Sequence, residues 1–265
     1  LWDVLVEPAR KIRIGNKLFF DEVGTMVAEV YDNTTSRGRS LRFLYDCSHE
    51  QFKEELFSLG EMPLPDYVLN GRPADPTMSN MHVHSHATED DVTDFQCVFA
   101  KHEGAVTAPA TGLHFSRELM KRMEIKGVNA AYITLHCGLG NFSQIEVEDL
   151  TKHKMDSERL IITPEAAGII NSTKEAGHKV LAVGITVMRG LETFVTTDDE
   201  VKPYDGWTNK FIFPPYRFAV PNAIVSNFHL PESTMLMSVA AFGGYEKVMH
   251  AYKVALDEGY KFGPY

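Results

Sequence analysis

Cysteine is scarce in this sequence. Cys47, Cys97 and Cys137 form an odd, scattered set without a CxxC pair. Such usage fits a reducing cytosol and argues against both a disulfide framework and a zinc knuckle. No apolar run is long enough to span a bilayer, and no secretory leader is recognisable. A cytoplasmic protein with no membrane partner is therefore expected. No GxSxG, P-loop, HExxH or kinase signature occurs. The chemistry cannot be taken from one short motif. Internal repeats and low-complexity tracts are missing too.

What remains is a globular composition. The 265 residues are 44% hydrophobic and 23% charged, enough for one large or two ordinary domains. The formal net charge of −10 speaks against a nucleic-acid partner at first sight. Its distribution is uneven. Residues 1–42 hold seven Lys/Arg against six Asp/Glu, whereas the remainder holds nineteen against thirty. The basic residues cluster as Arg10-Lys11-Arg13-Lys17 and Arg37-Arg39-Arg42. Two readings stand: a solvated face on a β-rich segment, the commoner meaning of a short charge run, or a patch that contacts phosphate. Leu1 is not a natural start, and residues are expected ahead of it.

The first 46 residues read as short strands over Trp2–Val6, Lys17–Phe20, Met26–Tyr31 and Leu41–Tyr45, punctuated by Gly15, Gly24, Asn33 and Gly38. This spacing predicts a small barrel or sandwich. His49 to Leu59 reads as a helix with Phe52, Leu56 and Leu59 on one face and Gly60 as its stop. The proline-rich Met62–Pro65 segment is extended, and a domain boundary is placed there, giving 1–60 and 61–265. Residues 66–93 read as a long loop. It holds His82, His84 and His86 ahead of Glu89, Asp90 and Asp91. Alternating histidines would share one face of a strand and could ligate a metal. A surface polar loop is the favoured reading, and no metal is expected.

From Asp94 strands and helices alternate. Strands are expected at Phe95–Ala100, Ala130–His136, Arg159–Ile162, Lys179–Ile185, Phe211–Phe213 and Ala223–Val225. Helices are expected at Phe115–Lys126, with Leu119, Met123 and Ile125 inward, from Pro164 to Gly177, over Arg189–Phe194, and twice near the C-terminus. Thr163-Pro164 supplies an N-cap and a proline at N1. Such alternation implies an α/β domain with helices covering both sides of a sheet. The organising stretch is Ala223–Gly244: a presumed central strand, the polar turn Ser226–Pro231, and a buried helix capped by Ser233 or Glu232 and stopped by glycines. Open α/β sheets bind ligands at such strand ends.

His114, His136 and His229 all fall at element junctions. Taken singly, each is more readily a hydrogen-bonded structural histidine than a catalyst. The motifs around them carry a resemblance. Gly60-Glu61-Met62-Pro63-Leu64-Pro65, Gln96 to Ala100-Lys101, His102-Glu103-Gly104-Ala105-Val106 and Ala108-Pro109 through Gly112-Leu113-His114-Phe115 come first. Thr134-Leu135-His136, Gly138-Leu139-Gly140, Met155 and Ser157-Glu158 follow. Last are Ala182-Val183-Gly184, Arg189, Leu191-Glu192, Asn227-Phe228-His229-Leu230-Pro231 and Ser233-Thr234. In this order the chain resembles the S-adenosylmethionine:tRNA ribosyltransferase-isomerases of queuosine biosynthesis over nearly its whole length.

The resemblance implies a three-layer α/β/α sandwich domain with a small β-barrel domain, the barrel lying mostly within residues 1–60. It implies S-adenosylmethionine as co-substrate, tRNA as partner, no metal and a monomer. The ribosyl moiety of S-adenosylmethionine would pass, with isomerisation, to 7-aminomethyl-7-deazaguanine in tRNA, giving epoxyqueuosine. Carried over by motif, His114, His136, His229, Glu158 and Arg189 are the expected catalytic residues. Pro109, Thr111, Gly112, Thr134, Gly138, Gly140, Gly184, Glu192, Asn227, Phe228, Ser233 and Thr234 are the expected substrate-binding residues.

The sequence departs from the family pattern inside these motifs. Ala110-Thr111 reverses a usual pair, and Ile185, Val187, Met188 and Gly190 remove hydroxyls. Asp156 stands for a usual histidine, Ser226 for a threonine and Asn141 for another threonine. A non-catalytic paralogue that binds S-adenosylmethionine or tRNA is therefore one alternative. A metal-dependent enzyme using His82, His84 and His86 is the other.

Overall fold

The structure is a computed structural model. It describes residues 1–4, 6, 8–20, 24–34, 38–60, 64, 88–106, 108–138, 145 and 147–261. The histidines at 82, 84 and 86, together with Gly140 and Asn141, lie outside the described residues. The chain divides into two compact units, Leu1–Val92 and Thr93–Tyr265.

The first unit is an antiparallel sheet plus a helix. β1 (Trp2–Val4), β2 (Lys17–Phe19), β3 (Val27–Asn33) and β4 (Arg39–Leu44) pair in the order β1-β4-β3-β2. Alternation sets the faces: Ala28, Val30 and Leu41 are buried together, with Val4, Ile12, Leu18 and Phe43 packed around them. Tyr31, on the outer face of the alternation and beside a bulge between Val30 and Asp32, is exposed. α1 (His49–Leu59) starts at a capping box, in which Ser48 and Gln51 satisfy each other's backbone N–H. Its Phe52 is buried against Phe43 and stacks on Tyr45 at 4.2 Å, whereas Leu59 is exposed.

A short helix, α2 (Glu89–Asp94), spans the division between the units. The second unit is mixed α/β. α3 (Arg117–Ile125) is capped by Ser116. β5 (Ile133–His136), β6 (Glu158–Ile162) and β8 (Tyr204–Thr208) form one antiparallel sheet in the order β5-β6-β8. α4 (Pro164–Glu175) starts at the Thr163 cap with Pro164 in its first turn. β7 (Leu181–Val183) pairs in parallel with β9 (Ala223–Val225). α5 (Ile185–Thr193) follows β7 directly. α6 (Thr234–Gly243) and α7 (Tyr245–Asp257) close the unit.

Two apolar clusters hold this unit. Leu160, Ile162, Ala166, Ala167, Ile170, Leu191, Val201 and Val220 join the sheet to α4 and α5. Ala182, Ile185, Met188 and Ile212 join β7 to α5 and α6. Each fully buried Leu, Ile or Met contributes about 1.5–3 kcal/mol. α5 approaches the sheet closely at Gly190, where a Cβ would lie 2.9 Å from Ile133 Cδ1 and 3.1 Å from Leu160 Cδ1.

Several expectations are corrected here. Phe95–Ala100 is not a strand: it turns, with Ala100 N–H donating to the Cys97 carbonyl at 3.1 Å. Phe211–Phe213 is not a strand either; its two phenyl rings face each other at 5.0 Å and Ile212 is buried. Neither Leu119 nor Ile125 faces inward: they are 36% and 76% exposed, and α3 turns only Met120 and Met123 partly inward, with no residue buried. Among the described residues β9 pairs with β7 alone, in a two-stranded sheet.

Candidate functional site

Three distant segments meet at the C-terminal ends of the parallel strands β7 and β9. The first is the 3-10 turn Ala110–His114, which enters from Pro109 at φ −68°. The second is Gly184, the residue between β7 and α5, whose N–H donates to the Val225 carbonyl at 2.9 Å. The third is the turn after β9, containing Asn227. Gly184 lies beside Thr111, since a Cβ there would be 3.8 Å from Thr111 Oγ1.

The Asn227 amide joins these segments. The Thr111 hydroxyl donates to Asn227 Oδ1 at 3.0 Å, and Asn227 Nδ2 donates to His114 Nε2 at 2.8 Å. An amide nitrogen can only donate, so Nε2 of His114 accepts. A neutral His114 therefore carries its proton on Nδ1. Thr111 is 6% exposed, whereas His114 is exposed. The result is an imidazole at the surface, held from below by a buried hydroxyl through one amide.

His229 belongs to a different group, although it is two residues from Asn227. Its Nε2 shares a hydrogen bond with Ser226 Oγ at 2.7 Å, and its backbone N–H donates to Tyr252 Oη at 2.7 Å. Burial pushes the imidazole down to about 4, so it is uncharged at neutral pH. The same environment raises the Tyr252 phenol. Phe228 stands edge-on to Tyr252 at 5.0 Å, which fixes the turn on α7. Ser233 accepts from Leu236 N–H and donates to the Leu230 carbonyl, the bonds of an N-cap. Thr234 is buried behind it.

A second polar centre lies under the end of β5. Glu158 and Arg189 form an ion pair at 2.9 Å, with side chains 2% and 4% exposed. Glu158 Oε1 also accepts the Gly138 N–H at 2.8 Å, and Arg189 Nε donates to the Lys210 carbonyl at 2.9 Å. The pair thus pins the chain after His136 to α5 and to the segment after β8. Burial, with the Glu158 carboxylate adding to it, pushes the neighbouring Cys137 thiol up to about 12. Cys137 is accordingly no nucleophile at neutral pH. His136 ends β5, two residues after Thr134. Gly104, at φ +139°, covers its ring: a Cβ at 104 would lie 2.6 Å from His136 Nδ1. Only glycine fits both that dihedral and that gap.

Glu192 forms a third group. Its Oε1 accepts from Ala219 N–H at 3.0 Å and Val220 N–H at 2.9 Å, and its Oε2 accepts from Tyr216 Oη at 3.1 Å. Burial, then the Glu192 charge, raises the Tyr216 phenol.

Of the residues named from sequence, the structure joins Thr111, His114, Gly184 and Asn227 into one cluster, with Pro109 and Gly112 shaping its turn. It joins Glu158, Arg189 and Gly138 into another. Glu192 and the His229–Phe228 pair are each held by other partners. The sequence reading passed over Gly104, Tyr216 and Tyr252. Gly104 had a signal, since it lies in the quoted His102–Val106 motif; Tyr252 reads only as one face of an amphipathic helix. Among the described residues no group of three or more His, Cys, Asp or Glu could hold a metal ion.

This is an α/β architecture with a polar site where parallel strands end. Residues 1–265 match a family described as queuosine biosynthesis protein, and the chain belongs to that family. It is 64% identical over 265 residues to a curated S-adenosylmethionine:tRNA ribosyltransferase-isomerase of Bacteroides fragilis, covering 100% of this chain and 71% of the relative. The protein of the same name in Phocaeicola vulgatus is 61% identical over the same span, again with 71% of the relative covered. A crystal structure of S-adenosylmethionine tRNA ribosyltransferase from Thermotoga maritima aligns with TM-score 0.48 and 28% identity, covering 99% of this chain and 68% of that one.

Proposed function

We propose that the protein transfers and isomerises the ribosyl moiety of S-adenosylmethionine onto 7-aminomethyl-7-deazaguanine in tRNA, releasing adenine and methionine and leaving epoxyqueuosine. The observation that carries this reading is identity above 60%, without loss of any part of the chain, to relatives bearing that enzyme's name. The convergence of Thr111, His114 and Asn227 supports it, because residues more than 110 apart in sequence meet at one polar point.

The reaction requires a proton to leave the carbon next to the sulfonium, and adenine to depart. His114 is our candidate for assisting adenine departure: Asn227 occupies Nε2, so Nδ1–H is the donor it can offer, and Asn227 with Thr111 fixes its orientation. His136, set by Gly104, is the second candidate. His229 enters as an uncharged group that lines the turn. Glu158 and Arg189 act by holding the β5 end rather than by touching substrate, since both are buried and bonded to backbone. Gly138 and Gly140 would let backbone approach the co-substrate. Glu192 would act through the Tyr216–Val220 segment.

In this reading the second unit is a three-layer sandwich, the sheet of the first unit is part of a small barrel, and the domain boundary falls between residues 60 and 61. The enzyme works as a cytoplasmic monomer and uses no metal. The test is product analysis with S-adenosylmethionine and precursor tRNA. Adenine and methionine should appear in equal amounts and only when tRNA is present. Release of S-adenosylhomocysteine would mean methyl transfer and defeat the reading.

A further inference from the structure

The loop between β1 and β2 carries Arg10, Lys11 and Arg13, all exposed, and leads into exposed Lys17. Its backbone is not loose. The Arg39 guanidinium donates to the carbonyls of Ala9 at 2.6 Å, Ile12 at 2.8 Å and Gly38 at 2.7 Å. Asn16 Oδ1 accepts Arg13 N–H at 2.7 Å, and Asn16 N–H donates back to the Arg13 carbonyl at 3.0 Å. Gly15 N–H donates to the Val30 carbonyl, and Val30 N–H to that of Asn16, so the loop's end continues the β2–β3 ladder. Arg39 is thus consumed as an anchor, and three neighbouring cations are presented at fixed positions.

Next to this ladder an aromatic ring is exposed. Tyr31, on the bulge of β3, is 53% exposed, with the Arg42 guanidinium 5.6 Å from its ring centroid. Arg42 is paired with Glu29 at 2.5 Å, so the row across the sheet keeps Lys17 as its outlying charge. Fixed cations beside a solvent-facing ring suit phosphodiesters and an unstacked base. The remainder of the chain repels such a polyanion, its residues beyond 42 carrying nineteen cationic against thirty anionic groups. Phosphate contacts would therefore concentrate at this edge.

We propose that the anchored loop of residues 8–16, with Tyr31, is a docking surface for the sugar-phosphate backbone of the tRNA. This rests on the function proposed above, which supplies the RNA. Loop cations hold phosphates and Tyr31 offers a stacking face, while the reaction takes place in the second unit.

The test is tRNA binding to the full chain by fluorescence anisotropy, between about 50 and 200 mM salt, where phosphate contacts show most. The variants are Arg10→Glu with Lys11→Glu and Arg13→Glu, Arg10→Lys with Arg13→Lys, and Tyr31→Ala. The charge reversal should weaken binding about tenfold or more and lower the slope of log K against log salt by about two to three, near 0.7–0.9 per lost contact. The lysine variant should bind as the parent does. Tyr31→Ala should weaken binding with little change of slope. S-adenosylmethionine affinity and the thermal melt should not move. A charge-reversed protein with parental affinity and slope overturns the proposal, as would binding of anionic phospholipid vesicles but not tRNA. Loop-dependent tRNA binding without ribosyl transfer would sink the enzymatic reading and sustain the docking surface. Undiminished binding with intact transfer would do the opposite.

Discussion

Asn227 is the residue on which the site's geometry turns, because its two ends have fixed chemical directions. Oδ1 takes the Thr111 hydroxyl, so Nδ2 must meet His114. Asn227→Ala removes both bonds at once. The expected result is a fall in kcat/KM of about a hundredfold, the scale of a lost acid/base alignment, with a melt within about 2 kcal/mol of the parent. Imidazole nitrogen-15 shifts should show His114 losing its single Nδ1–H tautomer; an unchanged tautomer with parental activity would make Asn227 a structural residue only. His229 gives a second expectation. Its folded value, about 4, lies below the ordinary 6.5, so burial favours the neutral form. Between those values the unfolded chain binds more protons, and stability rises with pH. The contribution is fully present above pH 6.5 and is lost as pH falls towards 4, by about 1.4 kcal/mol per unit. The melting-temperature difference between the parent and His229→Gln should therefore be flat above pH 7 and change steadily from pH 6.5 to 4 in the parent's disfavour. A flat difference over that range would mean the imidazole is solvated.

At the scale of elements, β5, β6 and α5 are tied by Glu158 and Arg189. Removing one partner leaves an unpaired buried charge, which costs about 3–5 kcal/mol. Arg189→Met and Glu158→Gln should each lower the melt by that much, whereas the double variant should recover part of it, because two neutral groups replace the pair. Additive losses would show that the two side chains do not act as a unit.

Much of this layer was legible beforehand. α1 is bounded by Ser48 and Gly60, α4 by Thr163-Pro164 and Gly177, and α6 by Ser233 and Gly244, all of them local signals that a sequence displays. β8 was not legible. Tyr204, Trp207 and Thr208 favour a strand, but Asp205-Gly206 interrupts the run like a turn, and the segment is a strand because it pairs with β6, where Asp205 meets Arg159. The apolar Phe95–Ala100 misled for the converse reason: its residues fold into a turn with no strand to pair with among those described. The site residues were legible as types at strand ends. That His114 joins Asn227 while His229 turns to Ser226 and Tyr252 depends on long-range packing, which no local window contains.

At the scale of the molecule, family membership points to one chemistry. The polar cluster, the ion pair beneath β5 and the Tyr252-held turn all lie in the second unit. Gly190 lets α5 pack closely on the sheet, and Ser226 supplies a partner for His229. Thr111 orients Asn227. The most direct test is nucleoside mass spectrometry of precursor tRNA after incubation with the protein and S-adenosylmethionine. The account requires 7-aminomethyl-7-deazaguanosine to disappear and epoxyqueuosine to take its place, with the conversion largely lost in His114→Ala of unchanged melt. Precursor nucleoside left intact by the well-folded parent protein would contradict it.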